Sequence, residues 1–458
     1  MLSRLVAAVP EPVLGLCRRL RQCGKRGWVV GGSVRDLLLG RPVQDWDVAT
    51  DARPRQMMRF FARVVPTGIR HGTVTVLVGD AGYEVTTLRG EHGYGDGRRP
   101  DRVEFHDDIA RDLARRDFTI NAIALDPIEP CLVDPFGGRA DLARRVLRAV
   151  GEARERFAED GLRILRAARF AATLGCRIEP DTLRAMGEKG ALETFAKVSA
   201  ERVRDEWLKA LSAARPSVAF EIMRETGMLA IVGPELLALH GCRQNRHHLH
   251  DAWQHTMLCV DACQGDAVLR LAALLHDVGK PATRAVSEKT GDHTFYSHEE
   301  VGATMAEAIL RRLKLSGADR ERVVHIVRHH LVCYSQGWTD AAVRRFLRRV
   351  TPERTEDVFQ LALADVRAKG GDEQADTVQI EKLRARIAAV AAEGSVLSAR
   401  DLDIDGHALM RELGLGPGPL IGELLDALVE LVTEEPGPNE RGKLLDAARA
   451  HLAGRAHE

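Results

Sequence analysis

The chain has 458 residues, of which 45% are hydrophobic and 29% are charged, so it is long enough for several domains and can bury their cores. Lys and Arg number 66, and so do Asp and Glu, which excludes a chain that is basic overall and confines any nucleic-acid surface to a local patch. No apolar run is long enough to cross a bilayer, and eight scattered Cys without a CxxC motif indicate a reducing cytoplasm rather than a disulfide framework or a structural zinc site.

The predicted elements begin with an amphipathic helix over about the first twenty residues. Residues 27–90 alternate short apolar runs with turn signals, and the runs GWVVGG, DWDVAT, GTVTVLV and GYEVTTL are typical of strands. Residues 90–104 are rich in Gly and charge and predict a mobile loop. From about Arg139 to the end the apolar residues follow a helical period. The sequence therefore predicts an α+β chain with a small mixed head and a long all-helical remainder.

The first candidate site lies in the head, where Gly31–Gly32 follows the first strand and precedes Arg35. Two glycines let the backbone approach a triphosphate closely, and an arginine can pair with the phosphate oxygens. Asp45 and Asp47 are two residues apart, so in a strand both carboxylates point to one face and suit Mg²⁺. Glu84, in a later strand, is either a third carboxylate of this site or an ordinary surface residue.

The segments Gly31–Gly40 and Asp45–Asp47 resemble the head of class II tRNA nucleotidyltransferases, the CCA-adding enzymes. This family shares the polymerase-beta-type nucleotidyltransferase fold with bacterial poly(A) polymerases. Four further segments resemble the same head in the same order, and they are Gly68–Val76, Asp96–Pro100 (the flexible loop), Arg115–Ala122 (the ribose-recognition motif) and Asp134–Gly138 (the hinge to the neck). Together the segments cover the whole head.

The resemblance implies a polymerase-beta-type mixed sheet, Mg²⁺ at the carboxylates, and tRNA, CTP and ATP as partners. It implies that the tRNA 3′-hydroxyl attacks the α-phosphate in line. Gly32 and Arg35 would hold the triphosphate, and Arg116 would contact ribose or phosphate. The candidate catalytic residues are Asp45, Asp47 and Glu84, the first two as metal ligands, and the candidate nucleotide-binding residues of the head are Gly32, Arg35 and Arg116.

A local basic patch lies in residues 139–177, which hold ten Arg against five acidic residues. Four of its polar residues are spaced by three and predict a stripe along one helix, and they are Asp160, Arg163, Arg166 and Arg169. Composition alone favours a solvated, salt-bridged helix face. The stretch resembles the EDxxR motif of the same family, in which Asp and Arg select CTP and ATP. Asp160 and Arg163 would therefore read the base, and the other two arginines would support them or hold phosphate. Gly161, where the family often has Pro or another residue, is expected to loosen the first turn slightly and puts none of these contacts in doubt.

The second candidate site lies in the helical remainder and comprises His255, the pair His276–Asp277 and Asp365. The pair ends the apolar run Leu269–Leu275, so it emerges from a buried helix. Two imidazoles and two carboxylates from separate helices can close around one divalent transition metal, which would lower the pKa of a bound water.

The pattern around this second set resembles the HD superfamily of metal phosphohydrolases, which some bacterial tRNA nucleotidyltransferases carry, with phosphatase and cyclic-phosphodiesterase activities. The resemblance implies that His255, His276, Asp277 and Asp365 are metal ligands. His298 with His329 or His330 is the candidate for a second ion. The nearby cluster of His247, His248 and His250 is expected to be loop or first-turn residues rather than ligands. A degenerate scaffold without activity is the alternative.

We expect four segments: a nucleotidyltransferase head (1–138), a neck with the base-recognition helix (139–215), a body with the HD domain (216–380) and a tRNA-binding tail (381–458). The expected function is template-independent CCA addition to tRNA, with an HD phosphohydrolase. Poly(A) polymerase, a partial CC- or A-adding enzyme, and a phosphohydrolase with a non-catalytic RNA-binding head are the alternatives. Residues 64–78 lack the arginine-rich signature of the poly(A) subgroup, and the intact loop at 89–103 argues against CC addition alone. No membrane partner is expected, and the oligomeric state, monomer or homodimer, stays open.

Overall fold

The computed structural model describes residues 2–92, 102–246, 249–370, 373–392, 398–435 and 437–455. The chain divides into two compact units, Met1–Leu237 and Ala238–Glu458. The predicted loop segment Asp96–Pro100 and the histidines His247 and His248 lie outside the described residues. Within the part of the chain that is described, no helix is both long enough and apolar enough to span a membrane.

The first unit begins with a head that confirms the predicted α+β class. Its helices are α1 (Leu2–Ala7), α2 (Glu11–Gln22), α3 (Gly32–Leu38), α4 (Pro54–Phe60) and α5 (Ile109–Ala114). Its strands are β1 (Gly27–Val30), β2 (Val48–Thr50), β3 (Val64–Gly68), β4 (Thr73–Val78), β5 (Ala81–Thr87), β6 (Arg89–His92), β7 (Arg102–Phe105), β8 (Ala124–Asp126) and β9 (Cys131–Val133). Seven strands form a mixed sheet in the order β3-β4-β5-β2-β1-β8-β9, in which β2 and β5 run parallel and the other neighbours antiparallel.

The central strands are apolar on both faces because both faces of the sheet are covered. Val29 and Val48 pack into a core shared with α1 and α2. Trp28, Val30 and Ala49 pack into a second core on the opposite face. Side chains alternate between the faces of a strand, so a sheet covered on both sides needs apolar residues at successive positions. This packing fixes the chain just after β1 and just before β2, where the first candidate site lies.

The segment predicted as a mobile loop begins and ends in strands. β6 pairs antiparallel with β7, from Arg89 opposite Phe105 to His92 opposite Arg102. The loop prediction was therefore wrong at both of its ends. Pairing between two strands joins backbone groups, so a composition rich in Gly and charge does not report it.

The rest of the first unit is mostly helical, with a short parallel pair of strands. The elements are α6 (Gly138–Ala143), β10 (Val146–Leu147), α7 (Ala153–Glu159), α8 (Leu162–Leu174), β11 (Arg177–Ile178), α9 (Pro180–Met186), α10 (Lys189–Phe195), α11 (Ala200–Leu211), α12 (Ser217–Glu225), α13 (Met228–Val232) and α14 (Pro234–Leu237). α8 packs against α11 and α12. The predicted stripe was wrong in one respect, since Asp160 lies between α7 and α8 in an extended conformation (φ −142°, ψ 109°).

Gly161 has a packing role that the sequence did not indicate. A Cβ on this residue would lie 2.4 Å from the backbone N of Phe195 and 2.5 Å from the backbone C of Thr194, both in α10. Its φ of −60° is open to any residue, so close approach of two backbones, and not conformational freedom, requires glycine here.

The described residues of the second unit form helices and one small hairpin. Its elements are α15 (Ala252–Ala262), α16 (Ala267–Leu275), α17 (Lys280–Thr283), β12 (Ala285–Val286), β13 (His293–Thr294), α18 (His298–Arg312), α19 (Gly317–His329), α20 (Asp340–Val350), α21 (Pro352–Lys369), α22 (Glu373–Ala392), α23 (Gly406–Leu413), α24 (Pro419–Glu434) and α25 (Arg441–Arg455). α15 and α16 pack against α21, and α16 and α18 pack against α19. This arrangement brings the ends of several helices to the second candidate site.

Candidate active sites

The three candidate carboxylates of the head lie around two interior strands of the sheet, β2 and β5. Asp45 and Asp47 precede β2 rather than lying within it, since β2 begins one residue after Asp47. The residues that follow Asp47 and Glu84 are register partners in the parallel pair β2–β5, so these two acidic residues are neighbours. Asp45, Asp47 and Glu84 line one cavity of about 560 Å³.

Asp47 is the electrostatic centre of this group. Its pKa is raised: desolvation is the largest cause, Arg116 opposes it, and the negative charges of Glu84 and Asp45 add to it. Gly31 has a φ of +74°, and a Cβ on it would lie 2.7 Å from Nη1 of Arg116 and 4.0 Å from Oδ2 of Asp47. A glycine at this position therefore leaves room for the arginine beside the acidic cavity. The raised pKa is thus the response of a carboxyl group that burial first, and two neighbouring carboxylates second, disfavour as an anion.

Arg35 lies over the glycine that starts α3. A Cβ on Gly32 would lie 3.6 Å from Nη2 of Arg35. The guanidinium donates from Nη1 to Oδ1 of Asn121 at 2.9 Å and from Nε and Nη2 to the carboxylate of Asp36 at 2.9 and 2.8 Å. Arg35 is thus held in place by the protein before any phosphate arrives.

A buried chain of polar contacts continues from this arginine to α8. Asn121 donates to Oδ1 of Asp117 at 3.1 Å, and Arg166 donates to Oδ2 of Asp117 from Nε at 2.8 Å and Nη2 at 2.7 Å. Burial alone would raise the pKa of Asp117, but the charge of Arg166 and the two hydrogen-bonding partners outweigh it and lower that pKa to about 2. The chain therefore ties the triphosphate side of the head to the predicted base-reading helix.

The other two arginines of the stripe also have protein partners. Arg163 is buried and donates to Glu159 at 2.5 Å, to a carbonyl of α7 at 3.1 Å and to the carbonyl that follows α5 at 3.0 Å. Arg169 donates to Glu206 on α11. A solvated helix face would leave these side chains in water, so the structure instead makes this stripe part of an internal interface.

Asp160, which precedes the stripe, is bound by a residue that sequence reasoning missed. Arg202 on α11 donates from Nη1 to Oδ1 at 3.2 Å and from Nη2 to Oδ2 at 2.7 Å. The two residues are 42 positions apart and no motif joins them.

In the helical unit, the four residues predicted as metal ligands come together. Nε2 of His255 lies 2.9 Å from Oδ1 of Asp365 and 3.6 Å from Oδ2 of Asp277. Nε2 of His276 lies 3.2 Å from Oδ2 of Asp277 and 3.8 Å from Oδ1 of Asp365. All four are buried and they come from α15, the end of α16 and α21.

A second group shares Asp277 with the first. Oδ1 of Asp277 lies 3.5 Å from Nε2 of His298, which lies 3.3 Å from Nε2 of His330. His329 instead packs its ring 4.5 Å from that of His325. Of the two alternatives that the sequence left open, the structure therefore places His330 in the cluster. Asp277 presents one oxygen to each group, as a carboxylate that bridges two ions would.

The donor atoms fit metal ions. Nδ1 of His276, His298 and His330 lies 2.8, 2.8 and 2.7 Å from a backbone carbonyl three residues earlier, so Nδ1 carries the proton and Nε2 is left for a ligand. Nε2 of His276 is buried and has no hydrogen-bond partner among the described residues. Each of two groups of ligand atoms lies within 4.8 Å, and these are His255–His276–Asp277 and Asp277–His298–His330. Among the described residues, the head carboxylates form no such compact group.

Two lysines contact the carboxylates of this cluster, and sequence reasoning assigned a role to neither. Nζ of Lys280 lies 2.6 Å from Oδ2 of Asp277, and Nζ of Lys369 lies 2.8 Å from Oδ2 of Asp365. Both lysines line a cavity of about 350 Å³ together with His298 and both acidic residues. The sequence held a signal for each contact. Lys280 follows Asp277 by three residues, and Lys369 follows Asp365 by four residues on the same face of α21.

Comparisons with known proteins agree with the two sites. A family model described as the poly A polymerase head domain matches residues 27–148, and one described as a probable RNA and SrmB-binding site of polymerase A matches residues 175–239. The HD domain model matches residues 256–370. Fold and sites thus define a protein of the nucleotidyltransferase class with an HD domain in the same chain.

Among relatives, the CCA-adding enzyme of Lactiplantibacillus plantarum is 33% identical over 439 residues, 96% of this chain and 95% of that one. The A-adding tRNA nucleotidyltransferase of Deinococcus radiodurans is 37% identical over 414 residues, 88% and 90% of the two chains. The chain spans about half the length, 53%, of the CCA-adding enzymes of Lactobacillus gasseri and Lactobacillus johnsonii. The crystal structure of the Bacillus stearothermophilus CCA-adding enzyme in complex with CTP matches with a TM-score of 0.74 at 30% identity over 98% of this chain and 100% of that one. The chain belongs to the family of tRNA nucleotidyltransferases that comprises these CCA-adding and A-adding enzymes.

Proposed function

We propose that the first unit adds CCA to tRNA 3′ ends, using CTP and ATP. The observation that carries the proposal is the shared cavity of Asp45, Asp47 and Glu84 beside Arg116 and the glycine turn. We assign Asp45 and Asp47 as Mg²⁺ ligands and Glu84 as the further carboxylate of the site. Mg²⁺ commonly uses one or two carboxylates and completes its shell with substrate phosphates and water, so two ligands suffice. When bound there, the ion would supply charge stabilisation to attacking and leaving oxygens.

The protein's own residues would orient the reaction. Arg35 and the backbone at Gly32 hold the triphosphate, and Arg116 beside Asp47 contacts the ribose or a phosphate. The tRNA 3′-oxygen forms a bond to the α-phosphorus while the bond from that phosphorus to the β-phosphate oxygen breaks and pyrophosphate leaves. Asp160 and Arg163 choose the base, and Arg166 and Arg169 support them. We also propose that the chain is organised in the four predicted segments and that its tail binds tRNA. We propose that the protein acts in the cytoplasm.

The experiment is nucleotide addition by the purified chain with Mg²⁺. Three tRNA transcripts, ending before CCA, after C and after CC, are given CTP and ATP alone and together, and the products are sequenced. Addition that stops after completing CCA on all three is the expected result. Long A tails would mean a poly(A) polymerase. If no nucleotide were added, the proposal that the first unit is a nucleotidyltransferase would be wrong.

A-addition is the second candidate, and one observation favours it. The D. radiodurans relative, which is named as A-adding, is more identical to this chain than the L. plantarum CCA-adding enzyme over a similar span, 37% against 33%. An A-adding enzyme would extend only the transcript that ends in CC, and only with ATP. The same three transcripts therefore decide between the candidates.

For the second unit we propose a metal-dependent phosphohydrolase with two transition-metal positions. Its support is the pair of ligand groups that share Asp277. A metal at this site would lower the pKa of bound water to near neutral and so provide a hydroxide for attack on a phosphoester. The test is hydrolysis of p-nitrophenyl phosphate and of 2′,3′-cyclic AMP by protein loaded with Mn²⁺, Co²⁺ or Ni²⁺. Hydrolysis that chelation does not abolish would contradict a metal site.

A further inference from the structure

The Asp160 carboxylate is fixed from two directions. Its Oδ1 accepts the backbone N–H of Leu162 at 3.0 Å, and both oxygens accept from Arg202 at 3.2 and 2.7 Å. Its backbone is fixed as well, because Gly161 is pressed against the backbone of α10. The carboxylate therefore has one orientation, although it lies in an extended linker between two helices.

Arg202 is suited to this restraint. Two parallel N–H···O bonds between a guanidinium and a carboxylate fix both groups in a plane, which a single-point contact does not do. The Arg202 and Asp160 side chains are 22% and 17% exposed, so solvent screens the pair only in part. Arg202 lies on α11, which packs against α8, so its own position is set by the helices of the neck.

We propose that Arg202 is a positioning residue for base selection, which acts by holding the Asp160 carboxylate in one orientation. The inference rests on the proposed function, in which Asp160 reads the incoming base. A carboxylate only accepts hydrogen bonds, so it binds the exocyclic amine of cytosine or adenine and is repelled by the carbonyl oxygens at the same edge of uracil and guanine. This discrimination needs an oriented, charged acceptor. Arg202 provides the orientation without touching the nucleotide.

The experiment compares the full chain with Arg202→Gln, Arg202→Lys and a control, Arg204→Gln. Arg204 lies on the same helix and pairs with its neighbour Asp205. Equilibrium binding of CTP and of UTP is measured by calorimetry with Mg²⁺, and kcat and KM for both nucleotides follow on a tRNA that ends before CCA. We expect the Gln variant to lose roughly tenfold in the preference for CTP over UTP, mainly in KM, since a charge-assisted pair is lost. We expect the Lys variant to fall between it and the wild type and the control to be unchanged.

The outcomes separate this inference from the function on which it rests. If the wild type prefers CTP in binding and Arg202→Gln reduces that preference, the inference stands even where no nucleotide is added and the proposed function fails. Equal preference in the wild type and a folded Gln variant overturns it, and so does a wild type that binds UTP as well as CTP. Should the Gln variant not fold, the Lys variant decides, because it keeps the charge but loses the two-point contact. A folded Lys variant with wild-type preference overturns the inference.

Discussion

Gly161 of the neck is closely packed against another backbone, and Asp117 of the head carries a buried charge. Gly161 lets the chain pass against α10, and Asp117 joins Asn121 to Arg166 through a carboxylate that is almost fully buried. Neither residue stands out by composition. Each depends on a partner that is distant in sequence, and each therefore gives a test of the packing that places α8.

Gly161→Ala is expected to destabilise the first unit. The added methyl would meet the backbone of Phe195 and Thr194, which cannot move without shifting α10, so we expect a loss of about 1–3 kcal/mol. The measurement is chemical denaturation followed by circular dichroism. Gly190→Ala is the matched control, because Gly190 is an exposed residue of α10 with nothing within 4 Å of its Cβ position. Equal losses in both variants would contradict the packing argument.

Protonation of Asp117 is expected to lower the free energy of unfolding in acid. Its pKa in the folded protein, about 2, is below the ordinary value of 3.8, so its contribution is fully present above pH 3.8 and is lost as the pH falls towards 2. The shift corresponds to about 2 kcal/mol. The measurement is the free energy of unfolding at several pH values in that window, for the wild type and Asp117→Asn. The wild type should lose stability more steeply, and parallel curves would show that Asp117 is not the titrating group.

At the scale of elements, the end of α19 decides which imidazole joins the second group of candidate ligands, Asp277 and His298. His329 packs its ring on His325 of the same helix. The next residue, His330, donates a hydrogen bond from Nδ1 to a backbone carbonyl of α19, and its Nε2 faces Nε2 of His298. Successive residues on a helix are about 100° apart, so adjacent side chains cannot both face the cluster. A sequence with two adjacent histidines carries no sign of which one does.

His330→Ala is expected to reduce the transition-metal content from two ions to one per chain, since His330 is a ligand of the second group only. Metal content is measured by mass spectrometry after loading with Mn²⁺ and removal of the excess. His329→Ala, which removes the neighbouring ring, should retain both ions. Two ions in His330→Ala, or one in the wild type, would argue against the two-position site.

Over the whole molecule, each site is built within one compact unit. The carboxylates of the head and the residues proposed to read the base lie in Met1–Leu237, and the proposed metal ligands of the HD domain lie in Ala238–Glu458. Because no ligand is shared, the chemistry of one site does not require the ligands of the other.

Asp45→Ala and His276→Ala are therefore expected to separate the two activities. The first should lower nucleotide addition by at least roughly a thousandfold and leave phosphohydrolysis unchanged, since it removes a proposed metal ligand. The second should do the reverse. Both activities are measured on the same preparations, with circular dichroism as the folding control. Loss of both activities in either folded variant would mean that the sites are coupled.

The sequence by itself determined the α+β head, the helical remainder and most candidate ligands. Strand and helix periods, the glycine turn and the His276–Asp277 pair are local patterns, and local backbone geometry translates them directly into positions. The Asp45–Asp47 spacing predicted one face of a strand, whereas both residues precede β2. Only the tertiary structure decided that residues 89–92 pair with residues 102–105 as antiparallel strands, that Asp160 leaves the stripe, and that His330 rather than His329 joins the cluster. It alone paired Asp160 with Arg202 and Asp117 with Arg166, 42 and 49 residues apart. Such pairs depend on which helix faces meet, and helix packing is set by the whole core rather than by any local pattern.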